Sequence, residues 1–359
     1  VKDLLLALHP LGMEIQFDID EDNQLVNRNT YDISDINSPT KSPRALIAAS
    51  ARAIVTVIAP MQVPASFLAD VTDVLAKSDA NILSINRTTA RGEKFSGYEF
   101  IIQLGVGNKS TVKEVDSSLD QVRAELLRLP KFGDISVQKH NLLVRSKRLV
   151  VFDLSWTLIQ GDAINLLCEA AGVEVPLGHD QDLASRAALL KGKPAKEVIR
   201  KTLSKLEYTD GAVVMCQVLK ALGYKLAVIS SGAKSLVDAA KYTLGLNYAY
   251  GNELIVDDHG FFTGEVESPM IDADRKAELL QMLAMQEKIT LDQVVAIGDG
   301  PVSSGLLSNA GLSISFDQPT SQGGGHVGGR ISGRSLETVL HLMGVSGSDI
   351  EAVVQRSSD

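Results

Sequence analysis

A doubly wound parallel α/β sheet, preceded by a smaller α+β module, is the fold class this sequence predicts, and three observations predict it. Mostly apolar runs of strand length recur after residue 148, each ending in polar or glycine residues. They are Leu149-Val-Val-Phe152 into Asp153, Lys225-Leu-Ala-Val-Ile229 into Ser230-Ser231-Gly232, and Gln293-Val-Val-Ala-Ile297 into Gly298-Asp299-Gly300, with 311–316 as a fourth. Longer helical-period segments separate them, the alternation that gives parallel strands with helices on both faces. At 359 residues the chain is also too long for one ordinary core.

In chain order, residues 2–8 carry apolar side chains at helical spacing and 13–19 alternate like a half-buried strand. Residues 20–43 are polar, rich in Asn, Asp, Ser and Pro, and read as a linker. The next elements are a strand at 53–58, a helix at 66–77, strands at 81–89 and 98–104, a helix at 112–129 and a strand at 134–138. That βαββαβ order is a ferredoxin-like split βαβ unit. A helix at 274–285 then carries Lys276 between the second and third strands of the α/β part.

A net charge of −9 and a pI near 5.3 exclude a phosphate-backbone or anionic-membrane surface, and no Lys/Arg-rich run occurs. No apolar run of transmembrane length and no secretory pattern is present. The two cysteines, Cys168 and Cys216, lie among apolar neighbours and read as buried thiols in a reducing, cytoplasmic setting. The chain begins without Met, which leaves an upstream targeting segment open. Its six histidines are scattered without metal-ligand spacing.

Open α/β sheets place ligands at the carboxyl ends of their strands. Here those ends present Asp153, Ser230 and Asp299 on one rim, with Lys276 entering from the helix. Two carboxylates, a hydroxyl and a lysine make a phosphate site with a metal.

In order, these stretches resemble the four motifs of the haloacid dehalogenase (HAD) superfamily of phosphohydrolases, in the branch of phosphoserine phosphatases with N-terminal ACT domains. The likeness runs from residue 1 to about 352 and includes Gly251-Asn-Glu-Leu-Ile-Val-Asp-Asp-His-Gly and Phe262-Thr-Gly-Glu-Val. It implies a HAD domain over 143–359 with a reduced helical cap at about 163–205, an ACT domain over 46–142, and the remnant of a first ACT domain plus linker over 1–45. The ACT turn Ala59-Pro-Met-Gln-Val-Pro-Ala65 lacks the glycine that lets backbone approach a ligand, so the module is expected to pack or dimerise.

The resemblance makes Asp153 the nucleophile that becomes an aspartyl phosphate. Ser155 stands where the family has its acid-base aspartate, and a serine hydroxyl cannot move a proton near neutrality. Losing such a group costs about 10²–10⁴-fold. Thr157, Ser230, Ser231 and Gly232 match phosphate-contacting positions, Ser231 replacing a glycine. Lys276 balances the clustered negative charge. Mg²⁺, weakened, would be held by Asp153, the Ser155 carbonyl and Asp299; Val302 and Ser303 replace the family's Asn and second Asp. Asp162 replaces a glutamate that takes the substrate's amino group, and Arg186 matches the carboxylate-binding arginine. Between Gly172 and Leu183 the cap is shortened. Trp156 occupies a small-residue position and is expected to fill the substrate cavity, and 323–329 is expected to be a glycine-rich connection.

The sequence therefore predicts a phosphoserine-phosphatase-like protein that has lost most or all hydrolysis and acts by binding a ligand or partner. One alternative is an active Mg²⁺-dependent phosphatase of phosphoserine or a related monoester, with Asp153 as nucleophile. Another is a dimeric regulatory or scaffold subunit built on the ACT part. Expected partners are a small phosphorylated metabolite or amino acid, a second copy of the chain, or another protein, but neither nucleic acid nor membrane.

Overall fold

The computed structural model describes residues 51–89, 93–105, 111–141, 146–175, 182–299, 303–316, 327–332 and 335–358. Contacts divide the chain into Val1–Leu46 and Ile47–Asp359, so every described residue belongs to the second unit. The expectations for 1–45, for 300–302 and for most of the 323–329 loop lie outside the described residues, as does 176–181 of the shortened cap stretch.

The first half runs β1 (Arg52–Pro60), α1 (Ala65–Lys77), β2 (Ala80–Arg87), β3 (Phe95–Leu104), α2 (Val112–Leu127) and β4 (Asp134–Lys139). Its strands are antiparallel in the order β2-β3-β1-β4, the split βαβ arrangement. One face carries Val55, Val57, Phe100, Ile102 and Val137 against Phe67, Val71 and Leu75 of α1 and Val115, Leu119, Val122 and Leu126 of α2. Spacings of four, or of four and three, put each helix's apolar residues on one stripe. Each such side chain, fully buried, contributes about 1.5–3 kcal/mol. Thr111 begins α2 with a capping box: its hydroxyl accepts from Glu114 N, and Glu114 accepts from Thr111 N at 2.6 Å.

The second half is α/β. After β5 (Leu149–Phe152) come α3 (Ala163–Ala170), α4 (Leu183–Ala188), α5 (Ala195–Leu203) and α6 (Ala212–Ala221); the first three occupy the region expected to be a reduced cap. Next are β6 (Lys225–Ala233), α7 (Lys234–Leu244), β7 (Tyr248–Asn252), a ribbon of β8 (Leu254–Val256) and β9 (Phe262–Val266), and α8 (Ala273–Gln286). The chain closes with β10 (Val294–Gly298), α9 (Ser304–Leu307), β11 (Leu312–Phe316), β12 (Gly329–Ile331), α10 (Glu337–Leu342) and α11 (Gly347–Ser358).

Strands β12, β11, β10, β5, β6 and β7 lie side by side and parallel. Leu149, Val151, Val294 and Ala296 face Leu279, Leu280 and Leu283 of α8, whereas Val150, Phe152, Val295 and Ile297 face the cluster of α3, α6, α7 and α10. Burial on both faces explains why these strands read as unbroken apolar runs.

β12 is a strand the sequence did not announce, and it joins the halves. It pairs with β11 on one side and antiparallel with β4 on the other, making one ten-stranded sheet. Across the seam Asp134 Oδ1 accepts from Ser332 N at 2.7 Å and Ser332 Oγ at 2.8 Å, and Arg330 Nη2 donates to Pro130 O at 3.1 Å. Ile58 and Phe95, on the sheet face away from α1 and α2, pack into the same cluster as Val339 and Leu342 of α10. Both cysteines are buried, and burial pushes the Cys216 thiol up to about 12. Among the described residues no helix is long and apolar enough to cross a membrane.

Candidate active site

Asp153 leaves β5 into the sheet's carboxyl rim, its N–H donating to Ile297 O at 2.9 Å, so the neighbouring β10 fixes where the side chain begins. The residue is only 3% exposed. Oδ1 accepts from Leu154 N at 2.7 Å; Oδ2 accepts from Lys276 Nζ at 2.5 Å and from Ser303 Oγ at 2.6 Å. Lys276, in the first turns of α8, is completely buried. Asp272 caps that helix by accepting from Arg275 N at 2.8 Å, which sets the register delivering the lysine. A buried ion pair gives little net stability because desolvation offsets the attraction. Its placement at a strand end is functional evidence instead.

Ser303 also lies 3.0 Å from Asp299 O, which sets the residue after β10 beside Asp153. Gly298 makes this possible, since a Cβ there would stand 2.5 Å from the Ser303 side chain. Sequence reasoning marked Ser303 only as a lost aspartate; the structure makes it a direct hydrogen-bond partner of Asp153.

A second group of hydroxyls stands on the adjoining turns. Ser155 Oγ accepts from Ala163 N at 3.0 Å, tying the Asp153 turn to the start of α3. Ser230, buried, accepts from Gly232 N at 2.9 Å. β6 continues to Ala233, past the expected end at Ile229, but its register against β7 breaks between those residues, so Ser230-Ser231-Gly232 fills an irregular stretch. Gly232 has no room for a side chain: a Cβ would lie 2.7 Å from Ala163 Cβ and 3.2 Å from Ser230 Oγ. Thr157 is fully buried and its Oγ1 makes no hydrogen bond among the described residues. Leaving such a group unmet costs about 1–3 kcal/mol, and a bound anion would satisfy it.

Asn252 was missed by sequence reasoning. Buried at the end of β7, it donates to Ser231 O at 2.8 Å and accepts from Ile271 N at 2.7 Å, linking the serine stretch to the segment that enters α8. A lone Asn among connecting residues carries no pattern that would reveal this.

Asp162 and Arg186 meet each other. Arg186 Nη1 donates to Asp162 Oδ1 at 2.7 Å, and the same oxygen caps α3 by accepting from Ile164 N at 2.9 Å and Asn165 N at 3.0 Å. Trp156 does not fill a cavity: it is 57% exposed with φ +56°. A depression of about 360 Å³ along the β8–β9 ribbon, lined by Glu253, Leu254, Ile255, Val256 and Glu267, involves none of these residues.

Among the described residues no group of three or more His, Cys, Asp or Glu side chains converges. The ligands that the family resemblance implies for a cation are the Asp153 and Asp299 carboxylates and the Ser155 carbonyl. Those hard oxygen donors fit Mg²⁺, which retains waters and needs only one or two carboxylates.

Residues 150–302 match the family described as haloacid dehalogenase-like hydrolase, and the chain belongs to that family. Within it the likeness is to phosphoserine phosphatases. The Methanocaldococcus jannaschii enzyme of that name is 36% identical over 48% of this chain and 86% of its own length. One from Mycobacterium tuberculosis is 28% identical over 98% of this chain and 80% of its own. A solved substrate-bound phosphoserine phosphatase complex superposes with TM-score 0.50 at 33% identity, covering 54% of this chain and 97% of that one. The chain spans 64% and 57% of the length of its relatives from Archaeoglobus fulgidus and Streptomyces coelicolor. Within the HAD family the chain is thus phosphoserine-phosphatase-like in sequence and fold. Its likeness to proteins named as phosphatases favours the active alternative over the loss of hydrolysis expected from Ser155 and Ser303.

Proposed function

We propose that the chain is a phosphate-monoester hydrolase that works through Asp153. The observation supporting this most directly is the buried Asp153 carboxylate, held by Lys276 and Ser303 on a turn that also carries, four residues on, the unmet Thr157 hydroxyl. An Asp153 oxygen attacks phosphorus, the bond from phosphorus to the leaving oxygen breaks, and an aspartyl phosphate forms. Water then attacks that phosphorus, freeing phosphate and regenerating Asp153. Splitting the reaction into two displacements lowers each barrier. Lys276 offsets the charge gathered on carboxylate and phosphoryl group. Thr157 and Ser230, each with a hydroxyl proton to give, and the backbone of Ser231 orient the phosphoryl oxygens, while the Gly232 N–H holds the Ser230 oxygen. Mg²⁺, held by Asp153, Asp299 and the Ser155 carbonyl, would supply further charge neutralisation. Asp162 and Arg186 line the leaving-group side. The test is phosphate release with Mg²⁺ and trapping of the acyl phosphate on Asp153; no label on Asp153, or equal release from Asp153→Asn, would refute it.

A second reading, a binding protein without turnover, is favoured by one contact. Ser155, in the proton-transfer position, spends its oxygen on Ala163 N. Undetectable hydrolysis together with saturable phosphate binding would select it. For the module over 52–139 we propose an ACT-like role in regulation or dimerisation, supported by its βαββαβ order. Light scattering with and without free amino acids tests this, and a monomer indifferent to them would sink it.

A further inference from the structure

We infer that the site's own substrate class is an aryl phosphate, with a phenolic leaving group, and that Trp156 is the specificity-determining residue. This rests on Asp153 acting as the nucleophile and adds what departs from it.

Three independent observations converge. The first is the position and backbone of the chain's single tryptophan. Trp156 lies three residues after Asp153, between Ser155 and the buried Thr157, yet it is 57% exposed. Its φ of +56° is one a bulky side chain rarely adopts. Strain of that kind persists where the surroundings enforce it, commonly at ligand clamps. The enforcing contact is the Trp156 N–H donating to Gly161 O at 3.1 Å, which closes the turn onto the residue before Asp162. The turn therefore leaves the indole uncovered, on a residue three positions after Asp153 whose backbone is tied to the neighbour of Asp162.

The second observation is the pairing of Asp162 with Arg186 at 2.7 Å. A zwitterionic leaving group would have to share this pair, in which Arg186 Nε still lacks a partner among the described residues. A flat, uncharged ring needs neither. It can stack on an indole, a contact that favours binding by roughly 2- to 10-fold beyond area burial.

The third is proton supply. Among the described residues, the groups bonded to the Asp153 carboxylate are the Lys276 ammonium, the Ser303 hydroxyl and Leu154 N, and the adjacent Ser155 is a hydroxyl. An aliphatic alkoxide, with an alcohol pKa not far from the roughly 15.7 of water, leaves slowly without a proton. A phenoxide, with a pKa of about 10, leaves without one. Balanced, the Asp153 carboxylate forms its bond to phosphorus while the phosphorus–oxygen bond of the ester breaks and releases phenoxide. Water then hydrolyses the aspartyl phosphate, and of its two protons one goes to the phenoxide and the other stays on the released phosphate.

The experiment uses the full chain with Mg²⁺ and compares phenyl phosphate with O-phospho-L-serine in wild type, Trp156→Phe and Trp156→Gly. Glycine suits the positive φ and so guards against misfolding. The expected result is a wild-type kcat/KM at least about 10²-fold higher for phenyl phosphate, the size of a missing general acid. The phenyl-to-serine ratio should fall roughly 2- to 10-fold in Trp156→Gly and be kept in Trp156→Phe. Equal or better use of phosphoserine, or a ratio unmoved in Trp156→Gly, overturns the inference. If neither ester is hydrolysed the hydrolase reading falls by itself. Calorimetry then decides the aromatic site: tighter binding of phenyl phosphate, lost in Trp156→Gly, upholds it, and no preference overturns it.

Discussion

Replacing Lys276 by methionine takes away the one cation among the described residues that is bonded to the Asp153 carboxylate, and keeps much of the side-chain volume. At 2.5 Å, with side chains 0% and 5% exposed, the attraction is about 6–7 kcal/mol for an effective dielectric near 20. Desolvating two ions costs several kcal/mol each, so the intact pair is close to neutral for stability. Removing one partner is different, because Asp153 stays buried with only hydrogen bonds from Ser303 and Leu154 N. Lys276→Met is expected to lose about 3–5 kcal/mol. Adding Asp153→Asn should recover most of that loss, since the remaining charge goes with it. Urea unfolding of the four proteins of the cycle measures the coupling. A Lys276→Met protein within about 1 kcal/mol of wild type, or a double variant as unstable as the single, would refute the placement of a buried charge pair at this strand end.

Ser155→Asp should raise turnover of phosphoserine by about 10²–10⁴-fold; an unchanged rate would show that the proton-transfer position is not limiting. Asp162→Ala removes the cap of α3 and the partner of Arg186, and thermal melting should show a loss of about 1 kcal/mol; no loss would mean the cap is idle. His341 is buried against Phe95, and burial holds its pKa below the ordinary 6.5 despite Glu93 and Glu337 nearby, with Lys94 adding to the depression. The unfolded chain then takes up that proton first, so the stability contribution is present above pH 6.5 and is lost as pH falls through the folded-state value. Unfolding free energies from pH 7.5 to about 5 should fall more steeply for wild type than for His341→Gln, and parallel curves would contradict the buried neutral imidazole.

The strands that deliver Asp153 and Asp299 were legible because a strand buried on both faces must be apolar throughout, and Val150 and Val151 face opposite sides of the sheet. The helix bearing Lys276 was legible for the complementary reason, its apolar residues keeping to one stripe. Ser303 was legible as a substitution but not as a contact, since its meeting with Asp153 depends on the space left by Gly298. Asn252 acts through main-chain atoms of Ser231 and Ile271, and bonds to backbone leave no pairwise trace in residue types. Trp156 misled because its place at a small-residue position of the motif suggested a cavity filler, whereas the residue is 57% exposed in a positive-φ turn. β12 has three residues, too few for an alternation to show.

That short strand has a consequence for how the molecule comes apart. With β4 on one side and β11 on the other, β12 makes the two halves share one hydrogen-bonded ladder, and Ile58 and Phe95 lend side chains to the core beneath α10. A chain shortened to begin after residue 146 would leave β12 as a bare edge, with Arg330 deprived of Pro130 O and the apolar face of α10 uncovered. Exposed edges of this kind recruit other chains. The antiparallel module is thus a covering layer for the parallel sheet, and the shared ladder predicts that the two melt as one cooperative unit.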